Sequence, residues 1–126
     1  MRRPLVVLTD TSLECNDTRA SVGGIMYDSN ECEHFSEELR AAQLSCLQAE
    51  NRHVIAVLEV LPVACAMSIW AGRAMHRRIF YFIENDAARA CLIGMFSSSP
   101  VINEVLRRIT IMSATSPPFV WFSRVP

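Results

Sequence analysis

Three acidic residues of the 126-residue chain stand in or beside apolar runs, where a solvated carboxylate is not expected: Asp10, Glu59 and Asp86. Asp10 closes the run at residues 5–10, Glu59 lies inside the almost wholly apolar stretch 55–70, and Asp86 follows RIFYFIE at 78–84. A carboxylate taken out of water is costly, so such groups take a partner, a proton or a metal ion. If the three meet, their repulsion calls for a cation between them, and hard oxygen ligands suit Mg2+ or Mn2+. Two such ions about 3.5–4 Å apart can activate a water and stabilise the leaving oxygen in phosphodiester cleavage. Plainer roles stand beside this one. Asp10 and Asp86 can be strand-end acids that cap a turn or the next helix, and Glu59 can be a first-turn acid that favours its helix dipole.

Whether the acids meet depends on the elements that carry them. Residues 5–10 (LVVLTD) predict a buried strand, and 13–20 are polar and turn-like. Residues 21–27 (SVGGIMY) predict a second strand weakened by Gly23 and Gly24, with Asp28-Ser29-Asn30 as its turn and 32–37 as a short third strand. Strands so closely spaced suit an antiparallel meander. The apolar stretch 55–70 predicts a helix buried on more than one side. Pro62 then requires that the helix start near Glu59 or kink, because a proline past the first turn removes a hydrogen bond; Gly72 and Arg73 are candidate terminators. Residues 78–84 are the strongest strand signal, aromatic and β-branched throughout. Asn85 or Asp86 offers an N-cap for a helix at 87–96. Ser97–Ser99 and Pro100 lead into a further helix at 101–112, Pro117-Pro118 breaks it, and 119–125 predict a last strand. The order βββαβααβ predicts an α/β domain with a mixed five-stranded sheet, three strands antiparallel and then parallel ones, with helices on its faces. A helical crossover from strand three to the free side of strand one makes strand four parallel to strand one. Asp10 and Asp86 then face each other at a topological switch point, with Glu59 leaning in from the crossover helix.

Composition narrows the field. The chain is 51% hydrophobic and 20% charged, which excludes a disordered polypeptide, and its length predicts a single domain. Twelve basic against thirteen acidic residues give a net charge of −1, so no bulk field announces nucleic acid or membrane. All twelve cations are Arg, with no Lys. Five Cys without a CxxC or a Cys/His cluster argue for reduced thiols rather than a disulfide framework or a zinc site. The first apolar run is too short for a signal peptide or a membrane span, so an intracellular, non-secreted domain is expected. The apolar, strand-like end FVWFSRVP suggests a domain truncated at its C-terminal end.

Thr9-Asp10-Thr11-Ser12, Glu59 in a helix, and Asn85-Asp86-Ala87-Ala88 after the fourth strand together resemble the ribonuclease H superfamily. The resemblance is closest to the RNase H-like domains that follow reverse transcriptases in retroelement polyproteins, and it spans nearly the whole chain. It implies a nuclease that cuts the RNA strand of RNA–DNA hybrids with two divalent ions. Asp10, Glu59 and Asp86 would be metal ligands, and Thr11 and Ser12 would lie beside the substrate; a linked reverse transcriptase domain would be a partner. Thr11 stands where that family usually has a small residue, Pro62 disturbs the helix of Glu59, and the family's fourth acid would follow the last strand. The missing fourth acid and an exposed last strand favour an alternative: an inert RNase H-like domain that serves as a structural or interaction module. A third reading is an unrelated α/β binding domain whose acids are only caps.

Other chemistry is poorly supported. Glu14, Asp17, Glu31, Glu33, Glu37 and Glu38 read as solvated faces, and His34, His53 and His76 as surface residues. No Cys has a neighbouring His or basic pair, and no nucleophile elbow, phosphate loop or dinucleotide fingerprint occurs. Arg73, Arg77 and Arg78, with His76, form the densest basic cluster. It can contact backbone phosphates or be an ordinary charged helix end. Trp70, Tyr81, Phe82 and Trp121 are expected in the core, with Trp121 and Phe122 at risk of exposure if the last strand is an edge.

Overall fold

Strict alternation along the first two strands fixes which way the sheet faces. In β1 (Leu5–Glu14), Leu5, Val7 and Thr9 are buried, and in β2 (Arg19–Asp28), Ala20, Val22, Gly24 and Met26 are. The computed structural model describes residues 3–14, 16–50, 54–114 and 119–124. β1 pairs antiparallel with β2, which pairs antiparallel with β3 (Glu31–Glu38). On its other side β1 pairs parallel with β4 (Arg78–Phe82), and β4 with β5 (Phe119–Ser123). The strand order is β3-β2-β1-β4-β5. The mixed sheet and the parallel return of strand four beside strand one are as the sequence predicts.

The helices are α1 (Ala41–Glu50), α2 (Val54–Ile69), α3 (Ala71–Ala74), α4 (Asp86–Gly94) and α5 (Pro100–Ala114). The expected order lacked two of them. Among its described side chains, α1 (AAQLSCLQAE) buries only Leu44 fully, so it has little apolar periodicity to announce it. α3 is one turn containing Gly72 and Arg73, the residues expected to end the preceding helix; α2 itself stops at Ile69. Pro100 does open α5, and the Asn85 side chain caps α4 by accepting from the Ala88 amide at 2.8 Å.

The core is a single layer between one sheet face and the helices. Val57, Val60, Val63 and Ala66 of α2 pack over Leu5, Val7, Met26, Ile79 and Tyr81 of the sheet, with Leu92 of α4 and Ile102, Leu106 and Ile109 of α5 around them. α2 is apolar all round because it touches the sheet, α4 and α5 at once. Gly24 has a steric reason that weak strand propensity conceals: a Cβ there would come within 2.6 Å of the Phe35 ring. That ring in turn meets Trp70 edge-on, centroids 5.5 Å apart, tying β3 to the end of α2.

At the amino end of β4 the chain is fastened by charge. Asp28, at the end of β2, accepts from both terminal nitrogens of Arg77 at 2.9 and 3.0 Å, and from Arg73 at 3.2 Å. Arg73 also pairs with Glu31 and Glu33, and Arg77 donates to the Arg3 carbonyl. Arg77 is almost wholly buried, and its pairing holds the Asp28 carboxyl below the usual carboxylate range.

Candidate active site

β1 is longer than its apolar run suggests. Asp10 is not its last residue but lies where its two neighbours part company. On the β2 side the ladder continues past Asp10, opposite Gly23, to Glu14; on the β4 side it stops at Leu8 opposite Phe82. Continuing that register by two residues sets Glu84 level with Asp10, on the same sheet face. A cleft of ≈ 440 Å³ opens there, lined by both carboxylates and by Gly23, Ile25, His34 and Ser36. Asp10 is exposed, and its Oδ1 accepts from the Thr11 amide at 2.8 Å.

Glu59 comes in from the second turn of α2, since the helix begins at Val54, so the first-turn reading of this residue does not hold. Its carboxyl is half-buried and pushed up to about 7, first by burial and then by the negative charges of Asp10 and Glu84. Asp10, Glu59 and Glu84 thus form one electrostatic cluster. Asp86 lies apart from this coupling. It sits in the first turn of α4, with Oδ1 3.1 Å from Arg89 and Oδ2 3.6 Å from Arg124. Glu84 is the acid that the sequence reasoning passed over. The available signal was Asn85: as N-cap it commits Asp86 to the helix and leaves Glu84 on the strand side, opposite Asp10.

Thr11 and Pro62 explain each other. Pro62 has no amide hydrogen, so the carbonyl of Leu58, four residues earlier, loses its helical partner. The Thr11 hydroxyl lies 3.0 Å from that carbonyl and 3.1 Å from the Ser21 carbonyl, sharing its one proton between them. The helix therefore continues unbroken from Val54 to Ile69, and its gap is joined to β1 beside Asp10 and one residue from Glu59. The hydroxyl of Thr11, expected at the substrate, is turned to backbone instead. Ser12 hydrogen-bonds the Ser21 hydroxyl across the strand pair.

The remaining candidates separate cleanly. Arg73 and Arg77 belong to the clasp around Asp28, at the opposite end of β4 from the carboxylates, and their charge is met by Asp28, Glu31 and Glu33. They are structural cations, and Arg78 opens β4 at that same end. His34 lines the cleft and His76 takes a left-handed turn conformation before β4; His53 lies outside the described residues, as does Cys15. Cys32, Cys46, Cys65 and Cys91 are free thiols, and burial pushes the Cys65 thiol up, away from nucleophilic use. Trp70 and Tyr81 are core residues, but Trp121 is 47% exposed, because it alternates to the sheet face opposite the helices.

The donor set is chemically that of a hard divalent cation. Among the described residues, however, no three His, Cys, Asp or Glu side chains converge closely enough to hold one ion. Asp10 and Glu84 are the exposed members of that donor set and Glu59 the half-buried one.

The arrangement of five strands and helices is the ribonuclease H fold. Among solved structures, the chain is similar to the N-terminal RNase H domain of a Mycobacterium tuberculosis protein (TM-score 0.71, 8% identity, covering 98% of this chain and 82% of that one). It is also similar to RNase H1 from the halophilic archaeon Halobacterium salinarum (0.67, 12%, 98% and 86%), and to LC11-RNase H1 isolated from compost, solved in complex with an RNA/DNA hybrid (0.67, 12%, 97% and 85%). No family model matches the chain, and no curated protein matches it in sequence.

Proposed function

We propose that the chain is a divalent-metal-dependent nuclease domain of RNase H type, which hydrolyses the RNA strand of RNA–DNA hybrids. The observation that carries this is the coupling of Glu59 to Asp10 and Glu84 beside an open cleft, at the point where β1 and β4 diverge. The RNA/DNA hybrid bound by one structural neighbour supports the choice of ligand. Asp10, Glu59 and Glu84 would hold Mg2+ or Mn2+, and the ion would supply an activated water and charge neutralisation at the phosphodiester. Asp86 was expected as the third ligand, but its two Arg partners leave Glu84 the better candidate. The protein's own part is to position the carboxylates: Asp10 through β1, Glu59 through the Thr11–Leu58 contact of α2, and Glu84 through the Ile83–Ser123 hydrogen bond beside it. The sequence resemblance adds a linked reverse transcriptase as the partner in a retroelement polyprotein.

A second reading, an RNase H-fold module without catalysis, is favoured by one observation, the unconverged carboxylates. Calorimetric Mn2+ titration and cleavage of a labelled hybrid, on the native protein and on Asp10→Asn, Glu84→Gln and Asp86→Asn, separate the possibilities. The proposal expects metal-dependent cleavage, lost by 100-fold or more in the first two variants, and Mn2+ binding retained in the third. Mn2+ binding lost equally in Asp86→Asn would return Asp86 to the ligand set. Neither binding nor cleavage in the native protein would leave the inert module.

A further inference from the structure

At the acidic end of the sheet, the cations are less fully paired than at the other end. Arg73 and Arg77 face three carboxylates, those of Asp28, Glu31 and Glu33. Among the described residues, Arg89 and Arg124 share one, that of Asp86, each through a single contact of 3.1 and 3.6 Å. The side chain of Arg124 is 70% exposed and that of Arg89 23%. One carboxylate cannot satisfy two guanidiniums with five donors each, and the Arg124 donors left over are open to solvent.

Their position follows from the backbone. The Ile83 amide donates to the Ser123 carbonyl at 2.9 Å, one residue beyond the paired register of β4 and β5. That bond carries the register on to Ile83 opposite Arg124, so a cation leaves the sheet one residue from Glu84, on the face that Ile83 shares with the core. Arg89 stands one turn into α4, whose start Asn85 fixes. Asp86 sits between the two.

We infer that Arg89 and Arg124, spaced by Asp86, form a phosphate-binding fork at the rim of the carboxylate cleft, which receives the sugar–phosphate backbone of a nucleic acid. This rests on the nuclease reading and adds to it the residues that grip the substrate. A phosphodiester oxygen pair matches the planar fork of Arg, and the 3.6 Å contact of Arg124 is the one most readily exchanged for it. Asp86 is then a positioning residue. It holds two like charges close together while the site is empty of phosphate.

The test is fluorescence anisotropy of a fluorescein-labelled RNA–DNA hybrid across a salt series, with Ca2+ in place of Mg2+ so that binding is read apart from cleavage. Arg124→Gln and Arg89→Gln are each expected to weaken binding roughly tenfold and to reduce the slope of log K against log salt by about 1. Arg124→Lys keeps the charge and loses the fork, so it should restore the salt slope but only part of the affinity. Arg107→Gln, on α5 and paired with Glu104, is the control and should bind as the native protein does. Native-like affinity and slope in both Gln variants, with the native protein binding, would overturn the fork and leave the nuclease reading standing. A native protein that does not bind the hybrid would overturn both.

Discussion

Glu59 is a half-buried carboxyl with two acidic neighbours, and its position at about 7 has a thermodynamic consequence. A carboxyl raised above its ordinary 4.5 binds its proton more tightly in the folded chain than in the unfolded one. Its contribution is therefore fully present below about pH 4.5 and is lost as pH rises through about 7. The metal-free protein should melt at lower temperature at pH 8 than at pH 5.5, and Glu59→Gln should remove most of that difference. Mn2+ should restore the melting temperature of the native protein at pH 8 but not that of the Gln variant. A melting temperature independent of pH between these values in the native protein would contradict the placement of Glu59. At this scale the sequence was informative for Asp10 and Glu59, whose apolar surroundings marked them out. For the third acid it offered Asp86, whereas continuing the parallel register with β1 sets Glu84, two residues earlier, level with Asp10.

The elements were legible in proportion to how strongly each declares a period. β4 and α2 are nearly continuous apolar runs, and α5 opens where Pro100 says it should. α1 escaped notice because a ten-residue helix with one fully buried residue among its described side chains has hardly any apolar face to read. β1 was cut short at Asp10 because an exposed acid resembles a strand end, although the strand continues for four more residues along β2. Pro62 looked like an obstacle and proved to be a joint, because the strand opposite supplies what the helix lacks. A double-mutant cycle tests the joint. Thr11→Val alone leaves the Leu58 carbonyl unsatisfied and should destabilise by about 1–2 kcal/mol. In a Pro62→Ala background the new amide at residue 62 can bond Leu58, so the same change should cost clearly less. Equal costs in the two backgrounds, measured by urea denaturation, would mean that the two residues are not coupled.

On the scale of the whole molecule, the helices cover one face of the sheet only. Among the described residues, the other face shows Ile25, Tyr27 and Trp121, all more than a third exposed, with Val6, Leu8, Phe80 and Phe82 half-buried between them. Phe80 and Trp121 stack across β4 and β5 with centroids 5.4 Å apart, so the patch is continuous rather than scattered. Phe122, by contrast, turns to the core, and of the two aromatics expected to be at risk only Trp121 is substantially exposed. An apolar patch of that extent promotes association. Sedimentation of this chain should show mass rising with concentration, and the double variant Ile25→Thr/Trp121→Lys should suppress the rise without lowering the melting temperature by more than a few degrees.

The clasp at the amino end of β4 carries a mechanical meaning. Arg77, Arg73 and Asp28 fasten that end through several charged contacts, whereas at the carboxylate end β1 and β4 are no longer paired to each other. The sheet is built like a cantilever, anchored behind and free at the tip. Amide hydrogens should exchange slowly around Ile79 and Tyr81 and progressively faster toward Glu84, a gradient that lets the acidic tip give way to an incoming ligand while the anchored end keeps the fold.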